Sequence, residues 1–184
     1  AGGSPMPSPI TDEMPTAEVL TQDLAELDTR LQTDRDNVEL RARYAKASLD
    51  LARRQVETQG KDVAVLLADA EQNYGKVLAV KPERSDWWIE RARTAYFQSH
   101  FDDETEFART ALRAALGKSL QELSIDEPVQ DARAVEALRW LGDGDIRRFG
   151  AKLESEPAEA LAAMLEGLRA FALVASSPYG DDTD

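Results

Sequence analysis

Few residues in this sequence have the type and spacing to do chemistry. His100 is its single histidine, and cysteine is absent. A catalytic or structural zinc draws on several nitrogen or sulfur ligands, and a serine triad sets a histidine between nucleophile and acid. One imidazole supplies neither set, and no thiol exists for a disulfide, a thiolate site or a cysteine nucleophile. There is no Glu-x-x-His pair of the kind that holds a di-metal centre inside a helical bundle. His100 instead reads as a turn residue next to Phe101. Gly142-Asp143-Gly144-Asp145 offers acids in a loop-like context. It lacks the ligand spacing and closing Glu of an EF-hand, so it reads as a tight turn and helix cap. No phosphate-cradling or dinucleotide glycine pattern occurs. Acidic runs such as Asp102-Asp103-Glu104 and Asp181-Asp182 bring carboxylates together, as glycosidases do. In a chain with 35 acids they read as a solvated face. The expectation is a protein without catalytic residues, cofactor or metal.

The 184 residues carry a net charge of -13, with 42% hydrophobic and 31% charged side chains. That balance fits a folded globular chain of one domain. Its charge is uneven: residues 1–36 sum to -6, residues 37–118 to +1 and residues 119–184 to -8. Such a chain repels phosphate backbones, so no nucleic-acid partner is expected. No run of about 18 uncharged apolar residues exists to span a membrane. The scarcity of asparagine and the excess of Arg over Lys suggest a GC-rich bacterial source, with cytoplasm and periplasm equally compatible. Residues 1–15, rich in Pro, Gly and Ser, read as a flexible linker or a cloning remnant. They equally suit a spacer left after an anchor is removed.

The remaining periodicity is helical. Leu20, Leu24, Leu27 and Leu31 mark a helix over about 17–33, with Thr16 as its cap. Further helices are expected at about 37–58 (capped by Asp36, stopped by Gly60), 62–80 (stopped by Pro82), 86–99 (capped by Ser85 or Asp86) and 103–116 (capped by Asp102 or Asp103, closed by Gly117). Three more are expected at about 127–141, 145–154 and 156–175. Pro128 lies in the first turn of one, the Gly-Asp-Gly-Asp turn separates two, and Ser155 caps the last. Leu161, Met164, Leu165, Leu168, Phe171 and Ala172 form the inward stripe of that last helix. The expected organisation is one all-α domain of about eight helices over residues 16–175, with a disordered acidic tail at 176–184.

Two stretches share one spacing. Leu27, Leu31, Arg35 and Ala45 are separated by four, four and ten residues, and so are Tyr74, Leu78, Pro82 and Ala92. Ala108, Ala111 and Leu112 follow Ala92 by 16, 19 and 20 residues, and Leu116 follows Pro82 by 34. This pattern resembles the tetratricopeptide repeat (TPR), whose period is about 34 residues. Arg35 stands where the family has proline, Glu104 stands where it has a small residue, and the interval from Arg35 to Pro82 holds 13 extra residues. The likeness covers about residues 17–116.

The resemblance implies a right-handed stack of antiparallel helix hairpins, a TPR-like α-solenoid, working as an adaptor or scaffold. Its concave groove would hold a peptide or protein partner. Carried over position by position, the groove residues are Lys46, Leu49, Ile89, Arg93, Tyr96 and Phe97. The asparagines of the family's carboxylate clamp have no counterparts. Trp88 falls in the core by this register, which leaves Trp87 as a candidate exposed anchor. The alternative is a structural subunit forming a homo-oligomer through its last helix, by way of Leu161, Met164, Leu165, Leu168 and Phe171.

Overall fold

The protein is all-α. A computed structural model describes residues 14–58 and 62–180, and these form seven α-helices and one short 3₁₀ turn, with no strand among them. The helices are α1 (Ala17–Thr33), α2 (Val38–Thr58), α3 (Val63–Val80), α4 (Ser85–Phe97), α5 (Phe101–Leu116), α6 (Ala132–Lys152) and α7 (Pro157–Ser176). Gly60, the expected stop of α2, lies outside the described residues, as do residues 1–13 of the expected linker and residues 181–184 of the expected tail.

Local chemistry accounts for most ends. The Thr16 hydroxyl accepts from the Val19 amide at 3.3 Å, satisfying one of the free donors of the first turn of α1. Asn37, rather than Asp36, does this for α2, its side-chain oxygen accepting from Leu40 N at 2.9 Å. Lys81 leaves the helical region ahead of Pro82 (φ -126°, ψ 72°) and ends α3, because the proline ring crowds a helical predecessor. Gly117 closes α5 at φ 67°, where a side chain would strain the backbone. Caps expected from Ser85, Asp86, Asp102, Asp103 and Ser155 do not form. Ser85 is already helical, α5 begins one residue before Asp102, and Pro157 opens α7 behind Glu156.

One expectation fails outright. Two helices separated by a Gly-Asp-Gly-Asp turn were expected over 127–154, but α6 runs unbroken through that stretch, and Pro128 lies ahead of it. Asp131 caps α6, accepting from Ala134 N at 2.8 Å. The glycines serve packing instead. A methyl added at Gly142 would fall 2.7 Å from the Phe171 ring, and one at Gly144 would fall 2.6 Å from Thr105 Cγ2. Close helix approach outweighs the roughly 1 kcal/mol that each glycine costs a helix interior.

The described residues gather into two compact units, one ending at Pro82 and the other beginning at Glu83. In the first, α1 packs on α2 and α2 on α3. Arg41 on α2 reaches Asn73 on α3 at 3.0 Å, and Glu39 reaches Lys81 at 3.0 Å, the order of an antiparallel pair. Leu20, Leu24 and Leu27 of α1 pack with Ala47 and Leu51 of α2.

In the second unit α4, α5, α6 and α7 pack in consecutive order, and α4 also touches α6. Its core holds Ala92, Ala108, Leu112, Leu138, Trp140, Leu141 and Leu173. Ala45, Ala92 and Ala108 are each fully buried, as positions at close helix crossings must be.

Candidate functional site

The residues expected to line a groove are placed as follows. Lys46 and Leu49 belong to the first unit, and Ile89, Arg93, Tyr96 and Phe97 to the second. Lys46 is exposed and pairs with Asp50 one helical turn on, at 3.1 Å. Leu49 is fully buried and Ile89 is 3% exposed, so neither presents a side chain to a guest. Both sit on the core side of their helices, and the neighbours of Leu49, Ser48 and Asp50, are buried with it.

Arg93 spans to α6, with 3.1 Å to Glu136, and also pairs with Glu90 on its own helix at 3.3 Å. Tyr96 meets Trp140 edge-on at 5.4 Å and Phe97 at 5.0 Å, and the Arg147 guanidinium lies 4.9 Å from its ring centre. This face of α4 thus spends its side chains on α6. Trp87 is buried, with the Arg84 guanidinium 3.9 Å over its ring, whereas Trp88 is the half-buried one, resting on Phe107. The expected order of the two tryptophans is therefore reversed.

Helix α7 inverts a second expectation. Its inward residues are Ala160, Ala163, Gly167, Ala170, Leu173 and Val174. Leu161, Leu165 and Leu168, expected inside, are 58%, 60% and 55% exposed, while Met164 and Phe171 are half-buried at the margin. The cause is the closeness of α6. A methyl at Gly167 would stand 3.1 Å from Asp145 Cβ and 3.4 Å from the Gly142 carbonyl oxygen, so no larger side chain fits at that crossing, and Leu173 reaches inward only beyond it. Spaced by four and three residues, the three leucines form one outer stripe. Ala158, Ala162 and Ala175 extend it as exposed neighbours. Arg169 at its edge is tied down, donating to the Leu123 carbonyl oxygen at 2.7 Å.

Beneath α7 the packing encloses acids that sequence reasoning assigned to solvent. Glu104 is fully buried, its Cγ and Cδ lying 3.3 and 3.2 Å from where a Gly144 methyl would stand. Neither of its oxygens receives a hydrogen bond from the described residues, and the same holds for Asp145 Oδ2. A buried anion without donors is costly, so the acid form is preferred. Burial, then the neighbouring Asp143, push the Glu104 carboxyl up to about 10. Burial and a hydrogen bond to Glu166 push Asp145 up to about 8. Burial also presses Glu166 upward, but the Arg109 guanidinium at 2.6 Å and the bond from Asp145 outweigh it and hold that carboxyl below its usual range. The signal in the sequence was the conjunction of an acid at a small-residue position with two glycines and two acids close together in α6.

His100 is exposed and stands just ahead of α5, its Nδ1 3.9 Å from Asp103. Among the described residues, no group of three or more acids, histidines or cysteines has the geometry to hold a metal ion, and no helix is long and apolar enough to cross a membrane. No family model, no curated protein and no solved structure matches this chain.

Proposed function

We propose that this chain is a non-catalytic protein–protein interaction module that docks a partner helix on the outer face of α7. The observation that carries this reading is the exposed stripe of Leu161, Leu165 and Leu168. Covering the rest of three half-exposed leucines is worth on the order of 1 kcal/mol each. Their four-and-three spacing is that of a helix-on-helix seam. The consecutive antiparallel hairpins inside each unit, with alanines at the crossings, support the TPR-like resemblance. The predicted groove is a weaker site, because Leu49 and Ile89 are buried and Arg93 and Tyr96 are engaged by α6.

Charge selects the occupant. Residues 119–184 carry 14 acidic and 6 basic side chains, and Glu154, Glu156 and Glu159 are exposed acids ahead of and in the first turn of α7, with Lys152 beside the last two. An amphipathic helix with leucine-type knobs and basic flanks is attracted there, whereas a second copy brings like charge.

The test uses a synthetic Leu/Arg amphipathic helix and the full chain. Fluorescence anisotropy is expected to show binding that the triple change Leu161→Gln, Leu165→Gln and Leu168→Gln removes while the melting curve is kept. Equal binding by both proteins would sink the reading. A dimer by light scattering that the triple change dissolves would assign the stripe to self-assembly instead.

A further inference from the structure

The enclosed acids carry an inference independent of what docks on α7. Four carboxyls lie in two neighbouring pairs between three helices: Glu104 from α5 beside Asp143 from α6, and Asp145 from α6 beside Glu166 from α7. The cations at their rim pair with Asp143, Asp145 and Glu166, and none bonds to Glu104. Arg109 on α5 lies 2.6 Å from Glu166 and 4.0 Å from Asp145. Arg147 lies 2.9 Å from Asp143. Arg148 lies 3.1 Å from Asp145 and 2.7 Å from Asp102 on α5. Lys152 pairs with Glu159 on α7 at 2.8 Å and stands 3.9 Å from Asp102. From α4 the facing titratable group is Tyr96, whose ring lies under Arg147. No nitrogen among these bonds to the Glu104 carboxyl.

We propose that this enclosed cluster is a proton-dependent clasp, in which one proton shared by Glu104 and Asp143 and another shared by Asp145 and Glu166 hold α5 and α7 against α6. When the solution turns alkaline and the protons leave, like charges face each other across a glycine-lined contact, and α7 loosens from α6. Three arginines face four anions, and none of them reaches the Glu104 carboxyl.

The direction of the pH dependence follows from linkage. Glu104 and Asp145 bind protons in the folded chain more tightly than in the unfolded chain. Their contribution is whole below the ordinary carboxyl values of 4.5 and 3.8, and is lost as pH climbs to about 10 and about 8 respectively. Glu166, held low, keeps its own contribution at neutral pH and loses it only in acid. Stability therefore peaks in mild acid and declines through neutrality. The net charge of -13 adds repulsion of the same sign, so a variant must separate the two effects.

Two measurements on the full chain do so. Carbon-13 carboxyl NMR is expected to show the Glu104 signal unmoved between about pH 4 and 7, and titration near the ordinary value would overturn the clasp. Urea unfolding at about pH 6, 7 and 8 is expected to show the wild-type unfolding constant rising up to about tenfold more per pH unit than that of Glu104→Gln. Equal slopes would overturn it as well. Should Glu104→Gln fail to fold, the NMR titration of the wild type decides alone. A gain in urea midpoint on adding calcium or magnesium, present in wild type and lost in Glu104→Gln, would make the cluster a cation site and overturn the proton reading.

Discussion

The α1–α2 seam of the first unit and the α6–α7 seam of the second both join consecutive antiparallel helices, and they fill the gap with different matter. In the first, Leu20, Leu24 and Leu27 drop onto Ala47 and Leu51, so hydrocarbon meets hydrocarbon. In the second, Gly142, Gly167, Ala163 and Ala170 clear the interface almost to backbone. Phe171 and the acids Asp145 and Glu166 take up what room remains. An apolar seam has the same worth at any pH. A seam closed by carboxyls depends on where their protons are. The second arrangement also pushes its leucines outward, so a surface able to bind is the other side of a tightly packed one.

Substitutions can break this contrast, and the largest effect belongs to the apolar seam. Leu51→Ala is expected to cost about 2–5 kcal/mol through lost burial and a residual cavity. Urea unfolding should show that cost unchanged between acid and neutral pH, whereas a pH-dependent cost would dissolve the contrast. Next comes Gly144→Ala. Its methyl meets Thr105 Cγ2 at 2.6 Å and the Glu104 side chain at 3.2 Å, so a loss of about 1–3 kcal/mol is expected from overpacking. A stabilised Gly144→Ala protein would show that α6 can shift away from α5. The control is Gly150→Ala on the same helix, where an added methyl meets nothing within 4 Å. Thermal melts should show it gaining about 0.5–1 kcal/mol, because alanine is the better helix former. The smallest effect is Leu165→Gln on the outer stripe, which should stay within about 0.5 kcal/mol of wild type because the side chain is mostly solvated. A larger loss would mean that the stripe is already covered in solution.

Legibility followed the range of the interaction. Thr16 and Gly117 were readable because a cap or a left-handed stop is settled by a few neighbouring residues. The burial of the alanines at 45, 92 and 108 was readable because small residues at helical spacing mark a face that packs closely. The Gly-Asp-Gly-Asp stretch misled because glycine is both a turn former and the residue that lets helices touch. Only the partner distinguishes the two uses, and here the partners are Phe171 and Thr105. Leu161, Leu165 and Leu168 misled for a related reason, since an amphipathic stripe says which residues share a face and not which face is covered. Trp87 and Trp88 exchanged places because adjacent helical residues differ by about 100°, and a one-residue error in register swaps inside for outside.

By itself the sequence determined that the chain is helical, where most helices begin and end, and that Ala45, Ala92 and Ala108 face inward. Those properties rest on hydrogen bonds and steric limits within a turn or two of backbone. The tertiary structure alone decided that α6 passes unbroken through its glycines, that the leucines of α7 face water, and that Glu104 is sealed among other acids. Each of these depends on how near a second helix stands, and that distance is set by residues far away in the chain.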